Sequence, residues 1–338
     1  MIREALSEVV SGRDLPAAVM DRVMAEILDG EAPAELVAAL AVALRMKGET
    51  TTELTAAARA LRSRCDALRP RVSIVVDNCG TGGDSAGTFN LSTVASFVIA
   101  ACGATVAKHG NRAVSSRAGS ADVLEALGVN IEASREVVDR CLHDVGIAFL
   151  MAPRFHGALR HAAPVRRALG IRTFFNLLGP LVNPACATHQ LVGVFDARWV
   201  EPMAHVLREL GGARGWVVHG DDGLDEVSPF TTTTVAEFDE AGVRRRTVAP
   251  SDFGLEPVAL DRLRGGDART NAAIARGVLG GDSAQAAPRT AVILNAAAAL
   301  CATGLEVDPR AAAAQARDAV ESGRALAKLD ALIEASRP

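Results

Sequence analysis

Residues 72–93 read VSIVVDNCGTGGDSAGTFNLST. The stretch passes from a β-branched run, through Gly80, Gly82 and Gly83, into an apolar segment of helical composition. Everything before it reads as helix and Pro70 closes that region, so 72–76 predicts the first strand of the chain. Glycines directly after a strand let the backbone turn left-handed and come close to an anion. Asn90, Ser92 and Thr93 fall at the start of the following helix, where free N–H groups and the helix dipole favour negative charge. Two anion-cradling devices within 80–93 point to a polyphosphate or a phosphorylated sugar. The standard nucleotide motifs are not met: no Lys-Ser/Thr follows the glycines, and Ser85 stands where a third glycine would fall.

Upstream, Leu6, Val9 and Val10, then Val19, Val23, Ile27 and Leu28, recur at helical steps. Asp14 and Pro16 mark a helix start and Gly30 a stop. Leu36, Leu40 and Leu44, with Leu54, Ala58 and Leu61, continue the pattern. Downstream, strand-like runs at 104–107, 147–150, 191–194 and 215–218 alternate with helical patterns at 122–127, 135–142 and 200–210. That alternation predicts a mostly parallel central sheet flanked by helices. Segments 231–238 and 243–248 add an antiparallel hairpin, and Ala-rich helix closes the chain. The expected fold class is α/β, with a small N-terminal helical domain over 1–70 and a large α/β domain over 71–338.

Composition narrows the partners. The 338 residues suit two domains at roughly 100–200 residues each. A hydrophobic share of 49% excludes disorder. Lys+Arg 36 against Asp+Glu 40 gives net −4, so phosphate must be met locally and no nucleic-acid partner is expected. The absence of Tyr and the 4% aromatic content also disfavour a base-stacking surface. Cys65, Cys79, Cys102, Cys141, Cys186 and Cys301 are scattered without a Cys-x-x-Cys, which fits buried thiols in a reducing cytoplasm. The longest apolar stretch is read as 93–107. It is broken by Ser96 and Gly103 and is shorter than the ~18 residues of a helical crossing, so no membrane is expected. The N-terminus lacks a basic region followed by an apolar core, so no signal peptide is expected.

Residues 108–120, KHGNRAVSSRAGS, follow the 104–107 strand. Lys108, Arg112 and Arg117 bring positive charge and Ser115, Ser116 and Ser120 bring donors to a strand's C-terminal end, where α/β sheets bind ligands. Residues 219–226, HGDDGLDE, follow another strand and would repel a phosphate unless a cation intervened. Mg2+ suits such carboxylates, with phosphate oxygens and water completing its shell. Asp221 and Asp222 also read as an ordinary polar turn. Several arginines, among them Arg154, Arg160, Arg166 and Arg167, lie between these loops. Any of them could grip a carboxylate with paired hydrogen bonds.

The ordered set Gly80-Thr-Gly-Gly-Asp84, Asn90-Leu-Ser-Thr93, Lys108-His-Gly-Asn-Arg112, the run 176–184 (NLLGPLVNP) and Gly223-Leu-Asp-Glu226 resembles the anthranilate phosphoribosyltransferase family. The resemblance runs the length of the chain. It implies the nucleoside-phosphorylase-like phosphoribosyltransferase fold, with an inserted helical segment near 156–186 joining the small domain and a homodimer formed through the small domains. It implies 5-phosphoribosyl 1-diphosphate and anthranilate as substrates, Mg2+ as cofactor, and the second step of tryptophan synthesis from chorismate. By the same resemblance Gly80, Gly83, Asp84, Thr88, Asn90, Leu91, Ser92 and Thr93 line the diphosphate-sugar site. Lys108, His109, Gly110, Asn111, Arg112, Ala113, Val114, Ser115, Ser116 and Ser120 complete it. Ser92, Asp225 and Glu226 would hold magnesium, and Asn111 and Arg166 would meet anthranilate, with Lys108, Asn111 and Arg166 carrying catalysis. Gly157 stands where the family usually has Pro, and Pro164 is expected to interrupt the helix before Arg166. These implied roles suit the chemistry. Cleaving the C1–diphosphate bond demands charge stabilisation of the leaving group, and an arylamine, neutral at pH 7, needs no strong base. Two alternatives share the scaffold: a pyrimidine nucleoside phosphorylase, and a non-enzymatic nucleic-acid binder.

Overall fold

The computed structural model describes residues 1–84, 86–113 and 117–337. Four helices open the chain: α1 (Ile2–Val10), α2 (Ala17–Leu28), α3 (Ala34–Lys47) and α4 (Thr51–Arg62). Pro16 and Pro33 stand just before α2 and α3, where a missing N–H costs nothing. Thr50 and Glu53 form a reciprocal capping box on α4.

The sheet comprises β1 (Val75–Asp77), β2 (Thr105–Gly110), β3 (Ile147–Met151), β4 (His189–Gly193), β5 (Arg214–Gly220), β6 (Thr233–Asp239) and β7 (Gly242–Val248). Its order is β3-β2-β1-β4-β5-β6-β7. Strands β1 to β5 pair in parallel, while β6 and β7 turn antiparallel, as the alternation and the hairpin predicted. β1 begins later than expected. It is central, and its ladder opens only where Val75 meets Thr105 on β2 and Val76 meets His189 on β4; Val72 is left exposed.

The remaining helices are α5 (Leu91–Ala101), α6 (Ser120–Leu127), α7 (Arg135–Arg140), α8 (Ala152–Phe155), α9 (Ala163–Leu169), α10 (Phe174–Leu178), α11 (Val200–Glu209), α12 (Ala268–Leu279), α13 (Ala286–Thr303), α14 (Pro309–Glu321) and α15 (Arg324–Ala335). Pro164 lies in the first turn of α9 and does not interrupt it. The longest apolar helical stretch is 283–303, not 93–107. It is long and apolar enough to cross a membrane, yet 78% of its 18-residue apolar window is buried inside the protein, where α13 packs against α5, α14 and β4.

Two apolar cores result. One gathers α5, α12, α13, α14 and α15 around one face of the sheet. The other joins α1 to α4 with Val165, Phe174, Phe175 and Leu178, and runs on into Val192, Val194, Val217, Ala236, Phe238 and α11. The helices before residue 70 therefore share a core with the 162–182 segment and with the second face of the sheet. Arg62 fastens the junction, donating to the carbonyl oxygens of Leu181 (2.7 Å) and Leu210 (2.8 Å).

Candidate active site

The glycine-rich loop leaves the C-terminal end of β1. Gly82 and Gly83 both take positive φ, +70° and +81°, so the turn uses the freedom only glycine has. The Thr81 N–H donates to Gly193 O (2.9 Å), and the Phe195 N–H donates to Thr81 Oγ1 (3.0 Å), binding the loop to the end of β4. Gly80 and Gly193 permit a close approach of the acidic segment. A Cβ on Gly80 would lie 2.8 Å from Asp225 Oδ2, and one on Gly193 would overlap the Asp225 carbonyl oxygen at 1.6 Å.

Through that approach the two distant motifs meet. The Gly82 N–H donates to Asp225 Oδ2 (2.6 Å), and the Ser92 N–H, in the first turn of α5, donates to Glu226 Oε1 (3.2 Å). Burial raises the carboxyl of Asp225, and Asp84 beside it raises it further. Burial and then Asp225 do the same to Glu226. Asp221 and Asp222 do not join them: the former accepts from Thr232 Oγ1 and the latter from Ser228 Oγ (2.5 Å), so both are turn residues.

Lys108, at the heart of β2, is buried and donates to Asn78 O (2.9 Å) beneath the loop. Asp77 lies beside it, fully buried, accepting from Asn183 Nδ2 (2.7 Å) and Cys79 Sγ (3.2 Å). Burial raises its carboxyl against the pull of Lys108. The His109 ring shares a hydrogen bond with Gly179 O (3.2 Å) and meets His156 edge-on at 5.3 Å. Burial, with His156 adding to it, holds His109 down at about 3. It is neutral at pH 7 and too weak a base to take a proton there.

Gly110 leaves no room for a side chain, since a Cβ would strike Ser120 Oγ at 2.1 Å. Ser120 Oγ donates to Asn111 O (3.3 Å), closing the loop over the start of α6. Arg112 departs from expectation. Its guanidinium bonds Glu125 (2.8 and 3.0 Å) and Asp122 (3.0 Å), so α6 carboxylates match the charge expected to serve a phosphate. The Ala113 N–H likewise donates to Asp122 (2.9 Å). Val114, Ser115 and Ser116 lie outside the described residues, as does Ser85.

Leu91 and Thr93 are buried, so what they present at the helix start is backbone. Thr88 bridges to Arg264 and the Phe89 N–H donates to Leu263 O (3.0 Å). Asn90 does not cap α5 with its side chain. Its Nδ2 donates to Ala118 O (3.1 Å) and its Oδ1 accepts from Asn271 Nδ2 (2.9 Å), linking the two ligand loops to α12. Arg166 is half-buried on α9 with its guanidinium 5.7 Å from the Phe175 ring, and has no hydrogen-bonded or ionic side-chain partner among the described residues. Arg167 is exposed.

Sequence reasoning missed Asn271, Asn295 and Arg172. Asn295, on α13, brackets the peptide groups of Val227: Oδ1 accepts from the Val227 N–H (2.9 Å) and Nδ2 donates to Val227 O (2.9 Å). Arg172 stacks on Phe195 at 4.4 Å and lies against Gly83. No local pattern marks these residues, because their partners are far along the chain.

The helical bundle and the mostly parallel sheet, with a glycine loop and an acidic segment meeting at its strand ends, correspond to the two domains of a glycosyl transferase. The helical bundle domain model of the glycosyl transferase family matches 3–65, and that family's a/b domain model matches 72–326. An anthranilate phosphoribosyltransferase from Myxococcus xanthus is 54% identical over 98% of each chain, and one from Anaeromyxobacter dehalogenans is 50% identical over 99% of each. The crystal structure of the Thermus thermophilus anthranilate phosphoribosyltransferase superposes with a TM-score of 0.93 at 43% identity, covering 99% of each chain. The Saccharomyces cerevisiae enzyme in complex with PRPP and Mg superposes at 0.89 with 26% identity, covering 99% of this chain and 97% of that one. The chain belongs to the anthranilate phosphoribosyltransferase family. It is a pentosyltransferase of tryptophan biosynthesis that moves the 5-phosphoribosyl group of 5-phosphoribosyl 1-diphosphate onto the amine of anthranilate, releasing diphosphate.

Proposed function

We propose that this reaction takes place where the 80–84 loop, the start of α5, the 108–113 and 117–120 loop segments and the 225–226 segment converge. The hydrogen bond from Gly82 to Asp225 is the observation that carries the reading, since it couples the phosphate cradle to the acidic segment. The positive end of α5 and the close approach that the glycine turn allows favour the phosphates there, and Lys108 lends positive charge. Arg166 pairs with the anthranilate carboxylate, for which a guanidinium over an aromatic ring, with no ionic partner among the described residues, is suited. Asn111 positions the acceptor from the neighbouring loop. With the amine a nucleophile as bound, His109 need not deprotonate it before attack; the proton shed as the C1–N bond forms leaves with the diphosphate or water, and orientation supplies the rate.

The residues fit a magnesium ion. Asp225, Glu226 and the Ser92 hydroxyl form a hard oxygen set, and the crowding that raises both carboxyls is what a divalent charge relieves. When bound, magnesium supplies charge neutralisation for the departing diphosphate. The expected test result is rapid loss of anthranilate fluorescence with 5-phosphoribosyl 1-diphosphate and Mg2+, abolished by EDTA. Loss of fluorescence that continues unchanged in EDTA would remove magnesium from the reading.

The 1–70 helices and the 156–186 segment are proposed to act as one unit against the 71–338 body, which their common core supports. Pairing of two chains through that unit is supported by exposed Val10 and Met46 on α1 and α3, and sedimentation at the mass of a single chain would exclude it. A cytoplasmic setting is supported by six free cysteines, and disulfides in protein isolated from cells would contradict it.

A further inference from the structure

Arg172 belongs to the stretch between α9 and α10, whose neighbours Phe174 and Phe175 are buried in the helical core. Arg45 Nη1, on α3, donates to its carbonyl oxygen at 2.5 Å, so the backbone at 172 is fixed by the helical unit. The side chain leaves that unit and reaches the opposite body. Its Nη2 lies 2.9 Å from where a Gly83 Cβ would be, and its guanidinium carbon stands 4.4 Å above the Phe195 ring. Phe195 is itself bonded to Thr81 of the same loop.

This arrangement leaves a charge unspent. Arg172 has no hydrogen-bonded or ionic side-chain partner among the described residues, whereas Arg64, Arg112 and Arg154 are all matched by carboxylates. Stacking occupies the face of a guanidinium and leaves its in-plane N–H donors open. Those donors lie against Gly83, which has no side chain of its own to cover them. A phosphate group is the ligand that matches a planar fork of donors at the edge of a loop beside the start of a helix.

We propose that Arg172, carried by the helical unit and seated on Phe195, binds the diphosphate group of 5-phosphoribosyl 1-diphosphate from beside Gly83. The inference rests on the reading of the loop as a phosphate cradle. It makes Arg172 a substrate-binding residue distinct from Arg166, with one arginine on each reactant. It also couples the diphosphate to the helical unit, because that ligand would be held by both bodies at once.

The test is calorimetric binding of inorganic diphosphate with Mg2+ to wild type, Arg172→Gln and Arg172→Lys, alongside steady-state kinetics. Loss of a charged fork predicts a rise of about tenfold to a hundredfold in the diphosphate Kd and in KM for the diphosphate sugar in R172Q. R172K recovers part of the loss, since it restores charge without the fork, and KM for anthranilate stays within about twofold. Phe195→Leu, which removes the platform alone, moves diphosphate binding in the same direction. Unchanged diphosphate binding in folded R172Q overturns the proposal, as does a rise confined to anthranilate KM. If R172Q does not fold, R172K is decisive by the same readings. Failure of the wild type itself to bind diphosphate would remove the reading of the loop as a phosphate cradle, whereas equal binding by wild type and R172Q removes only the role of Arg172.

Discussion

Arg166 and Arg167 are adjacent in sequence and differ in surroundings. Arg167 is solvated, whereas burial lowers the basicity of Arg166 without removing its charge. A half-buried cation with no counter-ion among the described residues gains when an anion arrives. Arg166→Ala is accordingly expected to raise KM for anthranilate about tenfold to a hundredfold and to leave calorimetric binding of the diphosphate sugar intact. Unaltered anthranilate KM would remove Arg166 from the acceptor site. Gly80, Asp84, Ser92 and Glu226 each sit in a short motif whose chemistry is local, and the fold brings those motifs together. Arg112 reads in the sequence as a phosphate ligand and bonds carboxylates in the fold, since Asp122 and Glu125 come round on the next helix. Arg172 carries no local signal, as its meaning comes from Gly83 and Phe195 on the other body.

At the scale of elements, strands and helices were legible wherever alternation or helical spacing persisted, and β1 was misjudged at its start because only its neighbours define the ladder. The acidic segment depends on a helix that follows it much later. Asn295 on α13 is 1% exposed and satisfies both peptide groups of Val227, immediately after Glu226. Asn295→Leu strands a buried donor and a buried acceptor, at a cost of about 2–4 kcal/mol in denaturant unfolding. The same variant is expected to need more Mg2+ for half-maximal activity, because Glu226 loses its fixed backbone. An unchanged magnesium requirement would limit Asn295 to a structural role.

The molecule as a whole carries buried groups that respond to acid in opposite senses. Burial holds His156 at about 4 and His109 at about 3, against an unfolded value near 6.5. Between these values the unfolded chain takes up protons that the folded one refuses, so this stabilisation is complete above pH 6.5 and is lost as pH falls toward 4. Asp225 and Glu226, raised by burial, oppose it in metal-free protein, which makes a comparison of variants the clean measurement. In His156→Gln the loss of unfolding free energy between pH 7 and pH 5 should be smaller than in wild type by about 2 kcal/mol. Identical pH slopes would mean that His156 is not held neutral by the fold.

The shared second core has a consequence for how the chain is made. The helices before residue 70 are synthesised first, yet the side chains that cover them begin at Ala162 and continue to Phe238. On the ribosome, α1 to α4 must therefore wait with part of their apolar surface uncovered while the first three strands emerge. Their final docking belongs to the late part of translation.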